Sequence, residues 1–317
     1  MRRSATAIRA YRGPAILSYG FRPFFLRGAI AAALVPVVTL AALAGFIPLQ
    51  DALSNLRHEL IFGYVSAAVA GFLLTAVPNW TGRLPIAGNG LSSPAALWLA
   101  GRIAFAASEF VIPVWRAVFS PQLAARGVIA AVTATPGFLD KTALAATILA
   151  MLIWSVAPVS MVAAVAALVA AMLTLTRMYA WKGWRTLAEP LVAILHVGYL
   201  WLPTSLFLIG ASVLVPSLIP TTASLHALTA GLFGVMTLAV MTRATRGHAG
   251  RTLSADRSMA AIFVLANLGA VVRVGAGLSK DYAQFLLFAA AIFWGGAFLL
   301  FCLVYGRYLV TPRVVSN

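Results

Sequence analysis

Apolar stretches about as long as a bilayer is thick recur through almost the whole chain, and they limit its fold more than any other feature. A helix needs roughly 20 apolar residues to cross the hydrocarbon core. Stretches of that kind occupy about 25–48, 60–79, 94–112, 159–179, 191–214, 224–242, 258–279 and 283–305, with a shorter one at 142–157. Between them no soluble domain of useful size remains. Only 9% of the residues are charged and 62% are hydrophobic, whereas a soluble domain carries about 25% charged residues. The expected fold is all-α, a polytopic transmembrane helix bundle. Residues 1–317 are expected to form a single integral membrane domain, with 1–20 as a basic N-terminal segment. That segment, "MRRSATAIRAYRGPAILSYG", lacks a long apolar core followed by a small-residue cleavage site, so no signal peptide is expected.

The charge is lopsided, with 23 Lys and Arg against 7 acids. In a soluble protein this balance would suggest nucleic acid, but here the basic residues collect between apolar spans and topology explains them. Cytoplasmic loops carry the excess of Lys and Arg. The basic segments are the N-terminus (Arg2, Arg3, Arg9, Arg12), "YAWKGWR", "TRATRGHAGR" and the C-terminus (Arg307, Arg313). All four, and therefore both termini, are expected in the cytoplasm. Three spans from an inside start leave the chain outside near Pro113, yet Lys182 and Arg185 must be inside again. The stretch 142–179 would be about 57 Å long as one helix, and Pro158 breaks it, so it supplies two crossings. The third then falls on 116–137, the least apolar of the spans. The total is about ten crossings, nine if 116–137 does not cross.

With directions assigned, the polar residues fall into two layers. His58, Glu59 and His226 stand at outer span ends. Arg22, Trp80, Arg83, His196, Arg243, His248 and Arg251 stand toward the inner side. Trp, Arg and His near span ends are common interfacial anchors, and His248 in its arginine-rich loop can simply be solvated. Arg102 lies inside a span, on one helical face with Glu109, where an ion pair between the two is a structural alternative. The functional alternative starts from imidazole, a good ligand for iron, copper and zinc, which helices of a bundle can bring together. The candidate metal ligands are His58, His196, His226 and His248. Met236 and Met241 are soft donors, though a Met on an apolar helix is more often packing. Inner-layer arginines can hold heme propionates or another anion.

Other chemistries lack support. The sole cysteine, Cys302, excludes an intrachain disulfide framework and a cysteine-rich metal cluster. There is no HExxH, no CxxCH and no glycine-rich loop leading into Lys-Ser or Lys-Thr. No Ser, His and acid cluster is evident at one depth.

Six strings in order, "FRPFFL" at 21–26, "HELIFG" at 58–63, "GFLLTAVPNWTGR" at 71–83, "LWLAGR" at 97–102, "LHVGYLWLP" at 195–203 and "LHALTAGLFGVMTLAVMTRATRGHAGR" at 225–251, closely resemble the NnrS family. The resemblance implies a bacterial inner-membrane protein that binds heme and copper and is tied to nitric oxide metabolism and nitrosative stress. It implies no catalytic mechanism. Residues 58, 196, 226 and 248, the four histidines, all fall inside these motifs, as do the candidate cofactor-binding residues Arg22, Trp80, Arg83, Arg102, Arg243 and Arg251. The chain departs from the family pattern at Leu56, where another His is usual, and at Leu60, where Met is usual. It is also shorter in the middle, where "ARGVIAAVT" is the only trace of a Gly-Gly-Arg-x-x-Pro segment. Family members usually have about twelve helices, so two are missing here.

The expected partners are the lipid bilayer and nitric oxide or a related small molecule, with no nucleic acid. The alternative function is a permease, in which Arg102, Glu109, Arg273 and the inner arginines line a path for an anion or a metal complex.

Overall fold

A computed structural model describes residues 13–46, 56, 60, 64–81, 137–186, 189–251, 254–279 and 281–313. These residues form helices joined by short turns, with no strand among them. The helices are α1 (Phe21–Leu43), α2 (Ser66–Thr81), α3 (Phe138–Val156), α4 (Met161–Ala180), α5 (Pro190–Leu214), α6 (Thr221–His248), α7 (Arg257–Leu278) and α8 (Ala283–Val310). All but α2 are long and apolar enough to cross a bilayer. They coincide with the expected spans to within a few residues. The expected span 94–112 lies outside the described residues, as does 116–137 but for its last residue.

Local sequence explains most of the boundaries. Pro158 separates α3 from α4 as expected, and Ser160 then caps α4, its side chain accepting from the Ala163 N–H at 3.1 Å. The helix α6 runs past the apolar limit at 242, because Arg, Ala and Thr continue the helix after hydropathy has fallen. It stops at Gly250, whose φ of 75° a side chain would disfavour. There the Arg251 N–H reaches the Arg246 carbonyl (3.0 Å) and the Gly250 N–H reaches that of Gly247 (3.3 Å). This is a Schellman end. One feature of α6 has no signature in the apolar pattern: residues Ala227–Val235 are π-helical, starting immediately after His226.

The chain divides into two compact units. The first comprises Met1–Phe105, Thr237–Leu265 and Ala291–Asn317; the second comprises Ala106–Met236 and Ala266–Ala290. In the first, α1 and α2 pack through small residues. A Cβ on Gly71 would stand 2.7 Å from the Phe25 ring, so the backbone of α2 lies directly against that aromatic side chain. Tyr64 is buried there with Trp294 and Phe298 edge-on to it, and its hydroxyl bonds that of Thr237. In the second unit α4 buries Ala163, Ala164, Ala167, Ala170 and Ala171. Small residues at this spacing let neighbouring helices approach closely, the usual device where lipid gives no hydrophobic drive between helices. Large apolar side chains point outward instead, among them Leu152, Met172, Phe207, Ile292 and Leu303. Such a surface suits lipid rather than water.

Candidate functional site

The sequence "SYGFRPFFL" brings an aromatic pair and a cation to the start of α1, in the first unit. Arg22 is 3% exposed, and its Nη1 donates to the carbonyls of Thr311 (2.5 Å), Leu309 (3.1 Å) and Tyr308 (3.3 Å). These are carbonyls at the C-terminal end of α8, which have no partner within their own helix. A cation there also meets the negative end of the helix dipole. Arg22 is thus a helix cap as well as a member of the polar cluster.

His248 lies beside it. The imidazole stands 5.3 Å from the ring of Tyr19 and 5.3 Å from that of Phe21, tilted by 31° and 35°. The positive charges of Arg22, Arg243 and Arg313 act on it. The turn at Gly250 then carries Arg251 back over Tyr308, with its guanidinium carbon 4.8 Å from the ring centre. Two of the sequence-expected arginines, Arg22 and Arg243, therefore act on one expected histidine, and a third, Arg251, lies over Tyr308. Trp80 lies in α2 with its side chain outside the described residues, and His58, Arg83 and Arg102 lie outside them altogether.

The polar edge of this unit is completed by Arg246, which pairs with Asp256 at 2.5 Å. Asp256 precedes α7 and its Oδ1 accepts the Met259 N–H at 2.8 Å, so one carboxylate caps a helix and neutralises an arginine. Burial, the largest single influence, raises the carboxyl pKa. The Met259 N–H and the Arg246 guanidinium together outweigh it and hold the group below the usual carboxylate range.

The second unit holds His196, on α5. It is 7% exposed, and its Nδ1 is 3.0 Å from the Val192 carbonyl oxygen. A carbonyl can only accept, so Nδ1 carries the proton and Nε2 carries the ring lone pair. The ring is clamped from the side. A Cβ on Gly183 would stand 2.4 Å from His196 Cδ2, and Trp181 packs edge-on at 6.2 Å between centroids. Gly183 follows Lys182, which has a φ of 52°, and the turn between α4 and α5 is shaped so that backbone covers the imidazole.

Trp181 is itself held by a network that sequence reasoning missed. Arg177, 1% exposed, donates from Nε to Asp140 Oδ1 (2.8 Å) and from Nη1 to the Tyr199 hydroxyl (3.1 Å). Its guanidinium carbon lies 4.5 Å from the Trp181 ring centre, and Trp181 Nε1 donates to Asp140 Oδ1 at 3.3 Å. The legible signal was a lone acid in the first turn of one span and a lone arginine in the last turn of the next. Antiparallel neighbours bring such a pair to one level.

His226 also belongs to the second unit, at the junction where α6 passes from α-helical to π-helical. Its expected partner, His58, is outside the described residues. Among the described residues, no three His, Cys, Asp or Glu side chains converge as a metal site. Among the described residues, the His196 and His248 imidazoles are each held by named neighbours, in separate units.

Comparison with known proteins gives one match. The family model described as NnrS protein matches residues 15–136 and 121–313. No curated protein matches, and no solved structure does.

Proposed function

The chain belongs to the NnrS family, and from that premise we propose that it binds heme, copper or both in the bacterial inner membrane and acts in the response to nitric oxide. The observation that carries this reading is the state of His196. Metal-ligating histidines donate their other ring N–H to a carbonyl or carboxylate, which selects the tautomer and orients the ring. The Val192 carbonyl does this for His196, and Gly183 and Trp181 restrain the ring from the side.

The residues present fit a heme in part. His196, His226, His248 and His58 are the proposed ligands. Arg243 and Arg251 are proposed to hold carboxylates of the cofactor, with Trp80, Arg83 and Arg102 as further contacts. Arg22 contributes charge while three backbone carbonyls already engage its Nη1. A bound heme or copper would supply the affinity for nitric oxide. The chain's part is to hold the imidazoles neutral, to balance anionic groups with guanidinium and to exclude bulk water.

Purification in detergent, followed by iron and copper analysis, tests the proposal. Stoichiometric metal with a Soret band supports it. A colourless, metal-free protein that moves an anion or a metal complex across liposomes would instead support a permease.

A further inference from the structure

The helix α7 carries a cation that none of these sites uses. Arg273 sits on the face of α7 that also holds Ala266, Ala270 and Gly277, spaced three or four residues apart. Ala266 and Ala270 are 1% and 0% exposed, so this is the face that α7 turns toward protein rather than lipid. Arg273 itself is half-buried. Arg22, Arg177 and Arg246 each engage carbonyls or a carboxylate. Among the described residues nothing pairs with or hydrogen-bonds Arg273. The nearest described acid in sequence, Asp281, is exposed beyond the end of α7.

Packing within the second unit shows what lies beside it. A Cβ on Gly277 would stand 3.3 Å from Ala223 Cα, so α7 and the start of α6 touch at that point. Val274, Ala223, Ala227 and Leu208 share one buried cluster. As residue number falls from 277 along α7 it rises from 223 along α6, so the two helices run antiparallel. From the Gly277–Ala223 contact, Arg273 is about 6 Å along one helix and His226 about 4.5 Å along the other, in the same direction. Ala227 and Val274 lie on the Leu208 side of the seam. His226 and Arg273, each one residue earlier and therefore turned by about 100°, lie on the other side. An imidazole and a guanidinium thus stand at one level of one groove, where α6 begins its π-helical stretch. Such stretches recur at functional sites.

We propose that Arg273 and His226 form a binding site for an oxyanion at this end of the α6–α7 pair. The Arg273 guanidinium supplies the charge and a planar fork of donors, and the His226 side chain forms the facing wall of the site. The oxyanion is either a free inorganic ion or the phosphate of a lipid headgroup, since both present the same oxygens. The charge of the site comes from Arg273, which the proposed metal ligation does not use, so a failure of the metal reading leaves the site standing.

The full chain in a phosphate-free maltoside, with thermal unfolding as the readout, provides the test. The probes are inorganic phosphate, sodium chloride at matched ionic strength, and a short-chain phosphatidylglycerol. Wild type should gain a saturable rise in midpoint with phosphate or with phosphatidylglycerol, beyond that with chloride. A response to phosphate identifies a free oxyanion, and a response to the lipid alone identifies a headgroup. Arg273→Leu should lose the rise while its midpoint without anion stays at or above wild type, because an uncompensated charge has been removed. Arg273→Lys should keep a rise with an apparent affinity weaker by about tenfold, as a point charge replaces the planar fork. If neither anion raises the wild-type midpoint, or if Arg273→Leu responds as wild type does, the site does not exist.

Discussion

Arg22 and Leu309, at the two ends of the chain, are joined by a hydrogen bond of 3.1 Å from Nη1 to the backbone carbonyl oxygen. The start of α1 and the end of α8 therefore occupy one end of the first unit. His248, its ring 5.3 Å from that of Phe21, brings the end of α6 to the same place. Three helix termini meet there, and the basic residues Arg243, Arg246, Arg251 and Arg313 accompany them.

Reporters fused after Gly250 and after Asn317 should report one side of the membrane, which the excess of arginine makes the cytoplasm. A reporter near Lys280, between α7 and α8, should report the opposite side. Opposite readings at Gly250 and Asn317 would contradict the contact of Arg251, at the end of α6, with Tyr308, at the end of α8.

Replacing Arg22 tests the cap directly. Arg22→Ala leaves carbonyls at the end of α8 without their charged donor, and a charge-assisted hydrogen bond contributes about 1.5–3 kcal/mol. Unfolding of the purified protein should show a loss of that size. A change below about 0.5 kcal/mol, the scale of ordinary surface substitutions, would mean that water replaces the arginine.

Asp256 sets an acid limit. Its folded pKa lies below the unfolded value, so its contribution to stability is present above the usual carboxylate range and is lost as pH falls through the lowered folded value. Asp256→Asn keeps an N-cap side chain but loses the charge facing Arg246. The variant should be less stable than wild type near neutral pH, and the difference should shrink on acidification. A gap that stays constant from neutral to acid pH would show that the ion pair contributes nothing.

The pair of Asp140 and Arg177 is buried more deeply, with side chains 15% and 1% exposed. Asp140→Ala strands a buried guanidinium, at a cost of about 3–5 kcal/mol. Replacing both residues with apolar ones of similar volume should recover much of that loss, and a double-mutant cycle measures the coupling. Additive losses would show that the two residues act separately. Because Trp181 bonds the same carboxylate and packs against His196, Asp140→Ala should also alter the optical spectrum of any metal bound at His196.

The sequence reading was strongest where a property belongs to a contiguous stretch. Hydropathy located α1 and α3 to α8 because each span carries its own apolar signal, and Pro158 marked the break between α3 and α4. It was weakest where a property belongs to a pair. The role of Arg22 as a cap depends on carbonyls at the far end of the chain, and the Asp140–Arg177 link depends on which helices pack together. The π-helical stretch at Ala227–Val235 leaves hydropathy unchanged and is visible only in the backbone. The approach of Arg22 and Arg243 to His248 was legible in part, since all three stood toward the side assigned as inner. His196, assigned to that same inner layer, belongs to the second unit, where Val192, Gly183 and Trp181 hold its ring.

Arg243 separates a cofactor contact from a topological charge. Lysine preserves the charge but not the planar fork. Arg243→Lys should leave expression and orientation intact while lowering heme retention, by about 1–3 kcal/mol for each lost charge-assisted contact. Unchanged heme content would return Arg243 to the role of an interfacial anchor.

The optical spectrum of the purified protein beside that of His196→Ala tests the central claim most directly. Wild type should show stoichiometric iron with a Soret band, or stoichiometric copper, and His196→Ala, folded to the same extent by thermal unfolding, should lose metal or show a changed spectrum. A wild-type protein with neither heme nor copper, or a variant whose spectrum and metal content match wild type, would contradict the assignment of His196 as a ligand.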